Sequence, residues 1–193
     1  MNNKLKIIKF FVCNKDGSFS INSVARKLGL NYRIAFESIK QLEYEKVLSI
    51  KKLGNTNHCS FNYHFNEDVY VIETKKRGDL LKNKDIKVLC TRINEIQNPF
   101  FIVLLFGSYA KGIQTKHSDI DICIIINDKE IEQKIEQMIR TLPLKIHLLN
   151  FNTNEFIGML KTTDKNVGKE IIQNNVILKN PENFYELINY ARR

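Results

Sequence analysis

Apolar positions along the first third of the chain fall at helical spacing. Leu5, Ile8 and the Phe10/Phe11 pair line one side of a first helix, which the turn "NKDGS" ends. Ser20 is placed to cap a second helix, "INSVARKLG", and Gly29 to close it. Asn31 can cap a third over residues 32–47, with Ala35, Ile39, Leu42 and the stem of Lys46 on one face. Arg33, Glu37, Lys40, Gln41 and Tyr44 fall on the opposite face. The period then switches to two: "VLSIKKLG" and "HCSFNYHF" alternate around "GNTN", the pattern of a β-hairpin.

Residues 65–98 are densely charged and their apolar spacing is mixed. "DVYVIET" fits a short strand or an extended linker, and from Asp79 onward Leu80, Leu81, Ile86, Leu89, Ile93 and Ile96 suit one helix. "PFFIVLLF" is a continuous apolar run, as in a strand covered on both faces. In "SDIDICIII", Asp119, Asp121, Cys123 and Ile125 alternate with Ile120, Ile122, Ile124 and Ile126. A helix, "KEIEQKIEQMIRTL", leads to the strand "PLKIHLLNF", where Lys145, His147 and Leu149 oppose Leu144, Ile146 and Leu148. The helix "NTNEFIGMLK" follows, and the tail is expected to form two more helices, "VGKEIIQNNVIL" and "PENFYELINYARR". This is an α+β chain, with expected divisions at 1–64, a connector at 65–85 and a second domain at 86–193.

Charge changes the picture for the first part only. Of the net +9, residues 1–65 carry +7 and the remainder +2, so the helices and hairpin at the front are the expected contact for a polyanion. No apolar run approaches the roughly 20 residues of a membrane span, and no signal peptide is evident. The cysteines, Cys13, Cys59, Cys90 and Cys123, are scattered. That usage fits a reducing cytoplasm, with each thiol a small core residue. Cys59 lies near His58 and His64, but a second ligand pair for zinc is missing.

The stretch "SVARKLGLNYRIAFESIKQLEYEKVLSI" and the hairpin after it resemble a winged helix-turn-helix. The resemblance implies DNA binding, with Arg33, Lys40 and Gln41 reaching base edges or phosphates. Lys51 and Lys52 on the wing would meet the phosphate backbone. It also implies a homodimer matched to two half-sites. The sequence departs from the usual form at Lys46, where many such domains have glycine before the wing.

The densest chemistry lies in "LLFGSYAKGIQTKHSDIDICIII". Two carboxylates one residue apart on a strand stand side by side, about 6.5–7 Å apart at the backbone. They would repel unless a cation lay between them, and a hard divalent ion such as Mg²⁺ resolves the conflict while drawing in substrate phosphates. Gly107 would let a phosphate approach the backbone, and Ser108 offers a hydroxyl and an amide at a helix start. "FGSYAKG" followed by "SDIDI" resembles the minimal nucleotidyltransferases of the DNA polymerase beta superfamily, over about residues 86–193.

That resemblance implies a small mixed sheet with helices on one side. Gly107 and Ser108 would hold the phosphates of ATP or another nucleoside triphosphate, and Asp119 and Asp121 would bind Mg²⁺. Lys111 would either lean toward the phosphates or be an ordinary exposed lysine. Active relatives carry a third acid on a following strand, whereas here His147 stands at that place. It would be a general base, a metal ligand or a hydrogen-bonded structural residue. Glu155 is the nearest later acid. The implied activity is Mg²⁺-dependent transfer of AMP to a hydroxyl acceptor. Family members often act as antitoxins on a partner HEPN-type toxin. The alternative is a DNA-binding regulator whose second domain binds a nucleotide or a protein without turnover.

Overall fold

The computed structural model describes residues 1–192, which form two compact units, Met1–Ile72 and a second from Glu73 onward. No helix among the described residues is long and apolar enough to cross a membrane.

The first unit opens with α1 (Asn3–Val12), a short strand β1 (Ser18–Ser20) that the helical periodicity hid, α2 (Ile21–Leu28) and α3 (Tyr32–Tyr44). A hairpin of β2 (Leu48–Leu53) and β3 (Thr56–Phe61) follows, and the three strands pair antiparallel in the order β1-β3-β2. Ser20 Oγ accepts from the Ser23 amide at 3.2 Å, and Asn31 Oδ1 from the Arg33 amide at 2.9 Å. Each takes up an amide that the first helical turn leaves without a partner. α3 stops three residues short of the expected 47, because Lys46 turns left-handed (φ 61°) and the chain leaves the helix there. Ile8, Phe11, Val24, Ala35, Ile39 and Leu42 are fully buried between the helices and the small sheet. Cys59 joins them, while Cys13 is exposed, against the expectation of a core thiol.

"DVYVIET" is neither strand nor linker. It lies within α4 (Glu67–Leu80), started by Asn66 Oδ1 accepting from the Val69 amide at 3.0 Å. Its β-branched residues mimic a strand, and the helical period is broken because the buried side includes a charge, Glu73. Tyr185 Oη donates to Glu73 Oε1 at 2.7 Å, and Lys76 Nζ lies 3.1 Å from its other oxygen, which makes that burial tolerable. The helix expected from Asp79 is likewise two: α4 ends at Leu80, and α5 (Lys84–Asn94) restarts on an Asn83 cap.

The second unit continues with β4 (Ile102–Phe106), α6 (Gly107–Lys111), β5 (Ile120–Ile125), α7 (Lys129–Arg140), β6 (Ile146–Phe151) and α8 (Thr153–Lys161). It ends with α9 (Val167–Gln173), β7 (Val176–Lys179) and α10 (Pro181–Ala191). The strand order is β6-β5-β4-β7. β4 runs antiparallel to β5 and β7, and β5 parallel to β6, so the sheet is mixed. "VIL" is therefore part of a strand and not a helix end. Asn175 breaks the pattern by folding its side-chain amide back onto the Ile171 and Ile172 carbonyls. Arg193, the last residue of the expected tail helix, lies outside the described residues.

Helices cover both faces of the sheet, and not one side alone. On one face Val103, Leu105, Ile122 and Ile124 pack under α5 and α7. On the other, Ile102 and Ile125 share a cavity of about 520 Å³ with Ile157 of α8 and Leu187 of α10. Asp121 lies toward one end of that second face, opposite Phe106 at the end of β4.

Candidate active site

β4 ends at Phe106, which lies opposite Asp121 in the antiparallel register with β5. The chain then turns sharply through Gly107 (φ 67°) into the single-turn α6. A side chain at Gly107 would be strained by its φ and would overlap the Asp121 carboxylate. Glycine therefore lets the carboxylate lie against the backbone where α6 begins. Ser108 is partly exposed next to it, and its hydroxyl carries no partner among the described residues.

The loop from α6 to β5 is tied to itself. The Thr115 amide donates to Ser118 Oγ at 2.9 Å, and the His117 amide donates to Thr115 Oγ1 at 3.3 Å. This knot delivers Asp119, which is exposed and sits one residue before β5, not within it. Asp121 is on β5 with its side chain 23 % exposed. Asp121 and His147 are Cα partners in the parallel β5–β6 register, and His147 Nδ1 is 3.1 Å from Asp121 Oδ1. With the carboxylate as acceptor, Nδ1 is the donor, and in the neutral ring Nε2 then keeps a free lone pair. His147 is 56 % exposed, and the register pair fixes the ring in place.

The remaining residues are arranged differently from the sequence expectation. Lys111 Nζ is ion-paired with Glu170 Oε1 of α9 at 2.8 Å, a partner 59 residues away. Glu170 also lines a cavity of about 460 Å³ with Lys165, Asn166, Lys169 and Gln173. No acid lies on β6. Glu155 is occupied in the capping box of α8, where its Oε2 accepts from the Asn152 amide at 2.8 Å. The sequence reading missed Thr115, Ser118 and Glu170. Of these, only the Thr-x-x-Ser spacing before Asp119 carries a local signal, an ST-type turn.

Among the described residues, no three of His, Cys, Asp and Glu gather closely enough to hold a metal by themselves, His58/Cys59/His64 included. The Asp119/Asp121 pair nevertheless fits Mg²⁺. Mg²⁺ takes one or two carboxylates and completes its shell with water and substrate phosphates, not with a protein cage. Asp119 and Asp121 are two such carboxylates: Asp121 lies against Gly107 at the start of α6, and Asp119 is exposed two residues before Asp121.

In the first unit, α3 presents Arg33, Lys40 and Gln41 to solvent, each hydrogen-bonded along the helix. Arg33 Nε pairs with Glu37 at 2.9 Å, Lys40 with Glu43 at 2.8 Å, and Gln41 Nε2 with Glu45 at 3.0 Å. Lys51 and Lys52 stand exposed on β2.

The family model described as "Polymerase beta, Nucleotidyltransferase" matches residues 84–183. No curated protein matches the chain.

Proposed function

The chain belongs to the polymerase beta nucleotidyltransferase family, and from that premise we propose that it is an Mg²⁺-dependent enzyme that transfers AMP from ATP to a hydroxyl acceptor. The observation that carries this reading is the convergence of Gly107, Asp121 and His147, from three elements, on one exposed corner of the sheet. Asp119 and Asp121 would hold the Mg²⁺. Once bound, the ion supplies Lewis-acid polarisation of the phosphates and a template for in-line displacement.

The chain's own residues account for the rest. Gly107 lets the Asp121 carboxylate lie against the backbone where α6 begins, and the Ser108 hydroxyl and amide beside it would donate to a phosphate. Asp121 fixes the tautomer of His147. The free Nε2 takes the proton of the acceptor hydroxyl as its oxygen bonds to the α-phosphorus. The bond from the α-phosphorus to the bridging oxygen breaks, and pyrophosphate leaves. The protein mostly positions, and positioning with charge stabilisation is most of phosphoryl-transfer catalysis.

The N-terminal residues 1–64 are read as a winged helix-turn-helix that binds DNA, followed by the connector 65–85 and the catalytic domain 86–193. The element order α1-β1-α2-α3-β2-β3 and the excess positive charge support this. Arg33, Lys40, Gln41, Lys51 and Lys52 are its candidate contacts, and a homodimer would match two half-sites. In the cytoplasm, the acceptor would be a hydroxyl on a protein partner such as a HEPN-type toxin, which makes the chain an antitoxin.

A second reading is favoured by one observation. β6 has no acid and Glu155 is held in a cap, so the domain would bind nucleotide or partner without turnover and the protein would be a regulator. Incubation with α-labelled ATP, Mg²⁺ and the partner separates the two. Label on the acceptor, lost in Asp119→Ala/Asp121→Ala, establishes the enzyme. Nucleotide binding without any labelled acceptor establishes the regulator.

A further inference from the structure

We propose that Lys46, the left-handed residue between α3 and the wing, is a phosphate contact for duplex DNA. With Lys51 and Lys52 it gives the wing a cationic surface without an opposing acid. The proposal rests on the DNA-binding reading above, and its first observation is a comparison of two helix ends.

α2 and α3 close with the same hydrogen-bonded motif. At α2, the Gly29 amide donates to Arg26 O at 3.3 Å and the Leu30 amide to Ala25 O at 2.9 Å. At α3, the Lys46 amide donates to Glu43 O at 2.9 Å and the Val47 amide to Leu42 O at 2.9 Å. The turning residues have φ 62° and 61°. This motif favours glycine, because a side chain in the left-handed region crowds the following carbonyl. The chain places glycine at one end and lysine at the other. The strained turn at Lys46 is braced from outside: Val47 and Leu42 are fully buried, and Asn62 Nδ2 donates to Lys46 O at 3.2 Å. A strained position that the surroundings hold in place points to a use for its side chain. That side chain is exposed, and its ammonium has no partner among the described residues.

The second observation is where unopposed charge lies. α3 carries Arg33 and Lys40 against Glu37 and Glu43, so its net charge is zero, and both cations are already paired on the helix. Residues 46–64 contain Lys46, Lys51, Lys52 and two histidines, and no acid. Three lysines without an opposing acid therefore stand at the start and tip of the wing, beyond the end of α3. Five residues of extended chain set Lys46 and Lys51 on the order of 16 Å apart, at about 3.3 Å per residue. Each DNA strand offers a phosphate about every 3.4 Å of axis, so one strand can meet both lysines.

The test is anisotropy of a labelled duplex with the full chain, titrated across about 50–200 mM salt, since each phosphate contact contributes about 0.9 to the log–log slope. Lys46→Asn keeps a residue that tolerates the left-handed turn and removes the charge. It is expected to lower the slope by about 0.9 while its melting temperature does not fall. Lys46→Arg should keep the slope, and Lys51→Ala/Lys52→Ala should lower it by about 1.8. Arg33→Ala/Lys40→Ala removes two cations yet should lower it by less than Lys46→Asn alone. A folded Lys46→Asn variant with an undiminished slope overturns the proposal, as does a larger loss from the α3 pair. A wild-type chain without salt-dependent DNA binding removes the DNA reading itself, so the two failures are distinguishable.

Discussion

At the scale of single residues, the site depends on one missing side chain and one ring. Gly107→Ala would set a methyl group against the Asp121 carboxylate at a φ that disfavours it. The expected cost is about 1–2 kcal/mol of stability from the backbone alone, read from a denaturant midpoint. Label transfer should fall by about 100-fold, the usual penalty for small displacements of reacting groups. His147→Gln keeps a hydrogen-bond donor for Asp121 and removes the proposed base. Turnover should drop about 10²–10⁴-fold with nucleotide affinity intact, and wild-type rates in that variant would return His147 to a structural role. The thiols divide by burial. Burial pushes the Cys59 and Cys90 thiols up to about 11 and Cys123 up to about 12, while Cys13 is exposed. One thiol should alkylate rapidly in the native protein. The unfolded thiols release protons near pH 9 and the folded ones retain them, so stability should decline as pH rises past about 9, which denaturant melts at pH 8 and 10 would show. The sharp turn at Gly107 and the strand that carries Asp121 were legible because residue type and spacing mark both. The pairing of Lys111 with Glu170 was not, because its partner lies 59 residues away with no local signal.

Among the elements, α4 shows how a buried charge hides a helix from its own periodicity. Glu73 is 2 % exposed and accepts from Tyr185 Oη, and Lys76 Nζ also donates to Asn175 O at 3.1 Å. Arg77 Nη1 reaches Leu178 O of β7 at 3.3 Å. These contacts fasten the second half of α4 to the C-terminal elements. Tyr185→Phe removes a hydrogen bond to a buried carboxylate and should cost about 1.5–3 kcal/mol, measured by chemical denaturation with the fold checked by circular dichroism. Strand β7 was hidden for a related reason. Its four residues follow α9 after only two asparagines, too short a run for a period of two to emerge. The parallel pairing of β5 with β6 was also beyond local pattern, since register comes from the α7 crossover packing on the sheet. That register is what brings His147 to Asp121.

At the scale of the whole molecule, the asymmetric charge and the motif order were visible in the sequence because each is a sum or a sequence of local facts. The strand order β6-β5-β4-β7 is not such a fact, and it has a consequence for biosynthesis. Leu104 pairs with Ile177 and Leu105 with Val176, about seventy positions later. On the ribosome, β4, β5 and β6 are complete while one side of β4 still shows unpaired backbone flanked by leucine and valine, an edge that invites wrong partners. A chain ending at Asn174 and held clear of the ribosome by a flexible linker should therefore be cut readily by protease and held by chaperones, and one that includes Val176–Lys179 on the same linker should resist both. The corner that joins Asp121 to His147 is made early, but it waits for Val176–Lys179 to close the sheet beside it.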